Sequence, residues 1–493
     1  MLDRRAFLGR LGLTAATLAL PRGVFAQPPF SALDFLRPRP PVRIRGKVTG
    51  AGRDLRGVRV SDGIAVTRTD NSGEFDFVSG PEGRFVFLTV PAGFAVPVGP
   101  AGTARHFVPI AGGGKETKVR FDLERSEEDG EHGFFLLADP QTLDGEDMGR
   151  FRRETIPDIR RTLARESVPH FAVSCGDIMF DDLSLLPEYE KAVEGAGMPF
   201  FQVIGNHDVE TAARSDDVSA RTFEGRFGPS WYSFERGEIH YVVLDDVFWY
   251  GDYFGYVDER QLRWLRADLA HVEKGRTVVV FTHIPVYCKS HERRGEEEPH
   301  PKASVVNRET LYEILRPYRS YIITGHMHES EYLEDGGTEI HVCGAVCGSW
   351  WSDDICRDGT PNGYSLYRAR GSALSWRYHA TGKSPDHQMR LYKRGSDPGA
   401  PEAIVANVWA ADKGWKVAWS EDGVRRFPME RRLGRDPRSV LLHGGPNLPA
   451  KHPWVEPVMT DHLFYAVPSA GATEVVVEAT DRWGRTYREK LPV

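Results

Sequence analysis

Polar side chains that could hold metal ions or move protons follow five separate apolar runs in the middle of the chain. The run at residues 200–204 passes through Gly205 into Asn206, His207 and Asp208. An amide, an imidazole and a carboxylate in this order can supply a metal ligand, a proton donor and the group that orients the donor. A single loop of this composition is weak support for a functional site, because polar residues commonly follow strands.

The same arrangement recurs at four other places along the chain. These residues are Asp139 and Gln141 after the run 134–138, Asp177 after 171–175, His283 after 277–282, and His326 and His328 after 321–324. A short apolar run is typical of a buried parallel strand, and ligands collect where such strands end in loops. Because five such ends release Asp, Asn, Gln or His, the sequence predicts a metal site at one edge of a sheet.

Helical patterns lie between these strands, at residues 151–166 and 259–272. In the second, one apolar stripe contains Leu262, Leu265, Leu269 and Val272. Strands that alternate with helices predict crossover connections and a largely parallel sheet. Residues 231–247 have the pattern of a hairpin-like insertion. The polar segment 287–304 lacks periodicity and is interpreted as a surface loop, with a lid as the alternative.

Both flanks of this α/β region have the alternating pattern of β-sheet domains. The predicted fold class is therefore a central α/β domain between an N-terminal and a C-terminal all-β domain. The predicted divisions are a signal peptide at 1–26, a linker at 27–41, an N-terminal β-sandwich at 42–126, the central domain at 127–370 and a C-terminal β domain at 371–493. Tryptophans of the C-terminal domain are interpreted as core residues, with a carbohydrate platform as the alternative.

Length and charge limit the class of protein. A chain of 493 residues predicts two to four domains. It has 63 basic and 70 acidic residues, a net charge of −7, and no basic stripe, so nucleic acid is not expected as a partner. No long apolar run follows the N-terminal segment, so no membrane span is expected. The sequence leaves the oligomeric state open.

The first 26 residues have the pattern of an export signal. Arg4 and Arg5 precede a short apolar stretch at 11–20, and small residues precede the expected cleavage after Ala26. This pattern resembles a twin-arginine (Tat) signal, with a Sec-type signal as the alternative. The mature protein is therefore expected in the periplasm or outside the cell. The resemblance also implies export of the folded chain, so metal could be inserted before transport.

The cysteines favour free thiols over a disulfide framework. Their number is odd and no C-x-x-C pair occurs. They are Cys175, Cys288, Cys343, Cys347 and Cys356. Cys347 and Cys356 could close a small loop in an oxidising compartment, but unpaired buried thiols are the preferred interpretation.

The ordered set of motifs resembles the calcineurin-like metallophosphoesterases. The resemblance is specific over residues 133–328 and consists of D-x-Q at 139–141, G-D at 176–177, G-N-H-D at 205–208, the lone His283 and G-H-x-H at 325–328. The motifs GSWW at 348–351 and PNGY at 361–364, with the flanking β domains, are similar to a secreted three-domain branch. The family resemblance implies a two-sheet sandwich flanked by helices, with metals at the carboxyl ends of the strands.

Carried over residue by residue, the resemblance implies two divalent metal ions that share Asp177. The first would be held by Asp139, Gln141, Asp177 and His328, and the second by Asp177, Asn206, His283 and His326. His207 falls where the family places a histidine that stabilises or protonates the leaving oxygen, with Asp208 as its expected orienting partner. The nucleophile would be a metal-bound hydroxide, because the cations lower the pKa of bound water toward neutrality. Two cations about 3.5–4 Å apart can also clamp the attacking and leaving oxygens.

Gln141 departs from the common family pattern, which has histidine at this position, although the D-P-Q version resembles a recognised variant. An amide oxygen donates less strongly than imidazole, so the first site is expected to prefer harder metals such as Mn or Mg and to bind them more weakly. The identity of the metals stays open among Mn, Fe, Zn and Mg.

Together these expectations predict a metal-dependent phosphoric ester hydrolase that acts on a small-molecule or envelope phosphate ester. Monoesters and diesters share this type of centre, so both stay open. The alternative is an envelope glycan-binding protein with a degenerate metallophosphoesterase fold. The enzyme is favoured because all seven expected ligands and His207 are present, which a binding protein would not require.

Overall fold

The computed structural model describes residues 40–110, 115–126, 129–421, 423 and 425–493. The predicted signal peptide at 1–26 lies outside the described residues, as does the predicted linker except for its last two positions. No helix in the described ranges is both long and apolar enough to cross a bilayer. The described chain forms a β-rich N-terminal region, a central two-sheet α/β region and a β-rich C-terminal region, so the predicted fold class is confirmed.

Two four-stranded sheets form the described part of the N-terminal domain. The first contains Arg53–Asp54, Val42–Gly50, Glu74–Ser79 and Glu116–Leu123, and the second contains Val66–Arg68, Arg59–Ser61, Phe85–Leu88 and Phe107–Pro109. The second sheet packs on the central domain, where the Trp264 ring lies 6.2 Å from that of Phe87 and its indole N–H donates to Ser61 Oγ at 3.1 Å. The N-terminal domain is therefore joined to the central domain by a packed interface.

The central domain is a sandwich of two mixed sheets, here called the first and second core sheets. The first contains, in spatial order, Phe200–Val203, His170–Cys175, Glu131–Leu137, Gly363–Arg370 and Ala373–Ala380. The second contains Tyr232–Arg236, Ile239–Val243, Thr277–Phe281, Arg319–Thr324, Thr338–Val342 and Glu331–Asp335. The strands that end in predicted ligands are parallel to their neighbours within each sheet, apart from the antiparallel pairing of Glu131–Leu137 with Gly363–Arg370.

Adjacent phenylalanines show why the central strands are apolar on both faces. Phe134 lies between the two sheets, stacked on Tyr367 at 4.5 Å and edge-on to Phe281 at 5.6 Å. Phe135 faces the opposite side and belongs to the cluster that the helices cover, with Phe151 and Tyr189 among its members. Burial of such a ring contributes about 1.5–3 kcal/mol, so both faces of the strand help to hold the sandwich together.

Helices cover the sandwich and connect its strands. They are Gly145–Arg150, which continues through a π turn at Phe151–Thr155 into Ile156–Leu163, then Leu186–Glu194 after a 3₁₀ turn at Leu183–Leu185, Asp216–Ser219, Arg221–Phe227, Glu259–Leu269, Ser290–Arg294 and Arg308–Leu315. Asp258 caps the helix Glu259–Leu269 by accepting from the Gln261 N–H at 2.8 Å. The predicted apolar stripe of this helix is buried, as the periodicity indicates.

The interpretation of residues 231–247 as an insertion is wrong. A hairpin is present, formed by Tyr232–Arg236 and Ile239–Val243, but its second strand pairs in parallel with Thr277–Phe281. The hairpin is therefore an edge of the second core sheet. A small separate hairpin, Val247–Trp249 with Tyr253–Gly255, follows it.

The described part of the C-terminal domain contains two further four-stranded sheets and one short helix, Pro437–His443. The sheets contain Arg390–Tyr392, Ile404–Asn407, Met459–Ala466 and Glu430–Arg435, and Phe427–Pro428, Lys416–Ser420, Glu474–Thr480 and Thr486–Pro492. Trp409 is fully buried, as expected for a core residue, and Trp415, Trp419 and Trp483 are half-buried. Trp454 is exposed, so the prediction of core tryptophans is wrong for this residue. The predicted boundary at residue 370 falls in the turn between the last two strands of the first core sheet. All five cysteines are buried and unpaired, as the sequence indicates.

Candidate metal centre

Strand ends from both core sheets bring the seven predicted ligands together at one edge of the sandwich. His283 is central, because its Nε2 atom lies 3.2 Å from Asp177 Oδ1, from Asn206 Oδ1 and from His326 Nδ1. The Gln141 Nε2 atom lies 3.2 Å from Asp177 Oδ2. His328 Nε2 lies 3.8 Å from Asp139 Oδ1. Ligand atoms of Asp177, His283 and His326 all lie within 4.8 Å of one another, which is a metal-binding spacing.

Each of the three histidines has one ring nitrogen fixed by a backbone carbonyl. His283 Nδ1 donates to Cys175 O at 3.1 Å, His326 Nε2 to Lys302 O at 2.7 Å, and His328 Nδ1 to Gly348 O at 2.6 Å. A carbonyl only accepts, so each of these nitrogens carries a proton, and in the neutral ring the other nitrogen keeps its lone pair. The remaining nitrogens of His283 and His328 face Asp177 and Asp139, and that of His326 faces His283 Nε2. Metal-binding imidazoles are held in this way, with one nitrogen fixed and the other turned into the site.

Five of the seven predicted ligands have a left-handed backbone. The φ angles are 48° at Asp139, 37° at Gln141, 47° at Asp177, 72° at His326 and 52° at His328. Residues other than glycine adopt this conformation at a cost of about 1–3 kcal/mol each, and such residues cluster at functional sites. The tight turns after the strands therefore carry strain at the positions of the donors.

Two glycines make room for the donors. A Cβ atom at Gly205 would lie 2.0 Å from the backbone nitrogen of Asp177, and one at Gly176 would lie 2.2 Å from His283 Nδ1. Real Cβ atoms do not approach other atoms so closely, so only glycine allows these loops to pack. The glycines of the G-N-H-D and G-D motifs are therefore needed for the close packing of the loops that carry Asp177 and His283.

The charge and polarity of the centre fit divalent cations. Asp139 is fully buried, and burial together with the neighbouring carboxylate of Asp177 raises its pKa. The Oε1 atom of Gln141 is buried and has no hydrogen-bond partner among the described residues. Two buried carboxylates, an unpaired amide oxygen and imidazole lone pairs form a donor set that a cation would satisfy.

The prediction that Asp208 orients His207 is wrong. His207 Nδ1 instead lies 2.8 Å from Asp181 Oδ1. Asp208 is fully buried, and its carboxylate accepts from the backbone N–H groups of Ile178, Met179 and Gly205 at 2.9–3.0 Å. Asp208 therefore ties the loop after Asp177 to the loop that carries Asn206, whereas the imidazole of His207 contacts Asp181.

Asp181 and Lys302 contact histidines of the predicted site, and the sequence does not single out either residue. Asp181 follows Asp177 in the same loop, and its acidic character was the only available signal. Lys302 acts through its backbone carbonyl, which no side-chain pattern reveals. It lies in the segment 287–304, which contains the short helix Ser290–Arg294 and packs beside His326.

A two-sheet α/β sandwich with this donor set at its strand ends defines a metal-binding protein of the dinuclear type. The chain belongs to the calcineurin-like phosphoesterase family. Its residues 42–126, 134–330 and 340–487 match the family models for the N terminal, the catalytic region and the C terminal of calcineurin-like phosphoesterase. Members of this family bind two divalent metal ions, so the prediction of two such ions is confirmed.

Similar proteins include acid phosphatase type 7 from Mus musculus, with 24% identity over 229 residues, which covers 40% of this chain and 52% of that protein. Purple acid phosphatase 21 from Arabidopsis thaliana is 28% identical over 145 residues, or 27% of this chain and 31% of that protein. The matched stretch spans about half or less of these relatives.

Solved structures with a similar fold include a dimetal phosphatase from Danio rerio, at 16% identity, 50% of this chain, 96% of that chain and a TM-score of 0.36. Another is a purple acid phosphatase from yellow lupin, at 12% identity, 66% of this chain, 67% of that chain and a TM-score of 0.38.

Proposed function

We propose that this chain hydrolyses phosphate esters at the centre formed by its strand ends. The observation that carries the proposal is the convergence of seven donors beside a histidine that a separate carboxylate orients. A degenerate fold used only for glycan binding would not need His207 and Asp181 in hydrogen-bond contact next to a complete donor set. Membership of the phosphoesterase family and likeness to proteins named acid phosphatases support the same reaction class.

The donors divide into two sets around Asp177. Asp139, Gln141 and His328 lie on one side, and Asn206, His283 and His326 lie on the other. When bound, two divalent cations would offset the charge of the phosphoryl group and lower the pKa of the attacking water. Asp177 is the carboxylate that both sets contact, so we assign it as the shared ligand.

His207 is placed to move a proton. Its Nδ1 atom contacts Asp181, which leaves Nε2 free to hold the proton that a leaving oxygen needs. Burial lowers the pKa of His207, but the carboxylates of Asp177 and Asp181 outweigh burial and raise it above its usual value. The two carboxylates therefore favour the charged form of the imidazole, and that form would stabilise negative charge on the leaving oxygen.

We further propose that the mature chain acts in the periplasm or outside the cell, on a small-molecule or envelope phosphate ester. The support is the sequence pattern of residues 1–26. Replacement of Arg4 and Arg5 by lysine is expected to keep the protein in the cytoplasm, measured by cell fractionation. Export at the unchanged rate would contradict a twin-arginine signal.

Rates on 4-nitrophenyl phosphate and on bis(4-nitrophenyl) phosphate test the function and the ester class together. The Mn²⁺-loaded protein is expected to hydrolyse at least one of them, and the ratio of kcat/KM values assigns the monoester or diester preference. Asp177→Asn is the matched control and is expected to lose bound metal and activity together. Metal-loaded protein that hydrolyses neither ester, nor any alkyl phosphate, would contradict the proposal.

A further inference from the structure

Six aromatic rings form a continuous chain that begins and ends at the metal centre, and we call this chain the aromatic rim. The centroid distances between neighbouring rings are 4.6 Å for His207–Phe180, 5.7 Å for Phe180–His452, 5.5 Å for His452–Trp454, 4.6 Å for Trp454–Trp350 and 3.9 Å for Trp350–His328. His207 and His328 are parts of the centre described above. The other four rings have no role in the proposed chemistry.

The rim is assembled from two domains. Phe180 and Trp350 come from loops of the central sandwich, whereas His452 and Trp454 belong to the C-terminal domain. The neighbouring Lys451 pairs with Asp147 and, at 3.4 Å, with Asp144, at the start of the helix that follows the Gln141 loop. The C-terminal segment is therefore tied to the same part of the sandwich that carries a predicted ligand.

Hydrogen bonds to the central sandwich also fix the part of the rim that contains Trp350. The adjacent Trp351 donates its indole N–H to Pro140 O at 2.9 Å, and its own carbonyl accepts from Arg150 Nη1 at 2.8 Å. Trp350 itself lies nearly parallel to the His328 ring, with an interplanar angle of 15°. These contacts fix the position of the indole beside a predicted metal ligand.

Features that oppose stability are concentrated in the rim. Trp454 is 55% exposed, although a tryptophan gains most by burial. Trp350 and His452 have left-handed backbones, with φ of 52° and 55°. The Nε2 atom of His452 is buried and has no hydrogen-bond partner in the described ranges. Exposed indole, strained backbone and an unpaired polar atom in one place are characteristic of a ligand-binding surface.

We propose that the aromatic rim binds the organic group of the phosphate ester when that group carries a flat apolar ring, either an aryl group or a nucleobase. The inference rests on the proposed function, because His207, which is assigned to the leaving oxygen, is one end of the rim. The organic group attached to that oxygen would therefore begin beside the rim. A flat ring gains stacking energy on an exposed indole, whereas a small polyol does not. The C-terminal domain thereby supplies specificity to a centre that lies in the central domain.

Trp454→Ala tests the rim, with Trp454→Phe as the rescue variant. Phe427→Ala is the matched control, because Phe427 is also an exposed aromatic residue of the C-terminal domain, at 43% exposure, and is not part of the rim. For each variant, kcat/KM is measured relative to the unmodified protein on 4-nitrophenyl phosphate, adenosine 5′-monophosphate, glycerol 2-phosphate and phosphocholine. Taking the ratio for each substrate removes differences in intrinsic reactivity. Thermal unfolding of each variant is measured in parallel.

Trp454→Ala is expected to lower kcat/KM about ten-fold on one or both ring-bearing esters and less than about two-fold on glycerol 2-phosphate. Trp454→Phe should recover most of the loss, and Phe427→Ala should change none of the ratios. A lower kcat/KM on 4-nitrophenyl phosphate would show that the rim binds an aryl group, and a lower kcat/KM on adenosine 5′-monophosphate would show that it binds a nucleobase. The inference would be overturned if kcat/KM fell equally on all four esters, if it fell on neither ring-bearing ester, or if it fell on phosphocholine alone. If the unmodified protein hydrolyses no ester, the proposed function itself has failed, which is a distinct result.

Discussion

At the scale of single residues, the two aspartates near His207 have different roles. Asp181 is 53% exposed and contacts the imidazole, whereas Asp208 is fully buried and contacts only backbone N–H groups. The exposed carboxylate can influence how His207 holds its proton without supporting the fold. The buried one supports two loops of the centre and has no contact with the reacting groups.

Asp181→Asn and Asp208→Asn are therefore expected to fail in different ways. Asp181→Asn should lower kcat by about ten- to a hundred-fold, because the imidazole loses its orienting charge, while bound metal and Tm stay unchanged. Asp208→Asn turns an amide N–H toward backbone donors, which costs about 1–3 kcal/mol and should lower Tm and metal content together. Metal analysis, Tm and steady-state rates separate the two. A fully active Asp181→Asn would remove that residue from the mechanism.

At the scale of elements, each part of the centre is an apolar strand followed by a tight turn that turns a donor inward. The turn after Phe200–Val203 packs against the turn after His170–Cys175, with Gly205 at the contact. Because Asp177 lies on the far side of this contact, the spacing of the two loops sets where the shared carboxylate lies.

Gly205→Ala is expected to disrupt the centre. The added Cβ atom would lie 2.0 Å from Asp177 N and 2.3 Å from Asp177 Oδ1, so the loops must separate. Bound metal and activity should fall by at least about ten-fold. Gly225→Ala is the control, because a Cβ atom there, in the helix Arg221–Phe227, meets nothing within 4 Å and should stabilise the helix slightly. Unchanged metal affinity in Gly205→Ala would show that the contact does not position Asp177.

The sequence predicts the strands and their donors because both signals are local. An apolar run such as 134–138 predicts a strand that is buried on both faces, and the polar residues after it mark the carboxyl end of that strand. The pairing of Ile239–Val243 with Thr277–Phe281 is long-range, and no local pattern reveals it. For this reason the sequence predicts an insertion at 231–247, where the structure has an edge of the second core sheet. The contact of Asp181 with His207 could not be predicted either, because a single acidic residue in a loop belongs to no periodic pattern and to no motif of fixed spacing.

At the scale of the whole molecule, a buried polar network joins the C-terminal domain to the loops of the centre. Asp358 accepts from Ser330 N at 2.7 Å and contacts His462 Nε2 at 3.0 Å. His462 Nδ1 in turn contacts Asn407 Oδ1 at 2.7 Å. Sequence patterning cannot predict such a network, because its contacts join residues that are 28, 55 and 104 positions apart and each member looks like an ordinary polar residue. The aromatic rim is hidden from the sequence in the same way.

The network should make the stability of the protein fall in acid. Burial raises the pKa of Asp358, but the contacts with His462, Ser330 and Thr360 outweigh burial and hold its pKa below the usual value. A lowered folded-state pKa adds stability that is present above the ordinary carboxyl pKa of about 3.9 and is lost as pH falls through the folded-state pKa. Thermal unfolding followed from pH 7 down to about pH 2 measures this loss.

Asp358→Asn is expected to lower the free energy of unfolding by about 3 kcal/mol at pH 7. Below about pH 4, the free energy of unfolding of this variant should fall less steeply with pH than that of the unmodified protein. Asp386→Asn, which changes an exposed carboxylate of the C-terminal domain, is the control and should follow the unmodified protein at every pH. An Asp358→Asn curve that runs parallel to the unmodified one would show that this carboxylate does not couple stability to pH.

Titration of chelator-treated protein with Mn²⁺, with ester hydrolysis followed in the same sample, tests the two-metal centre most directly. The metal-free protein is expected to be inactive, and activity should rise with added Mn²⁺ and level off at two ions per chain. Asp177→Asn should bind fewer ions and stay inactive, because both sets of donors meet at this carboxylate. Full activity without added metal, or activity that saturates at a single bound ion, would contradict a two-metal centre at these seven side chains.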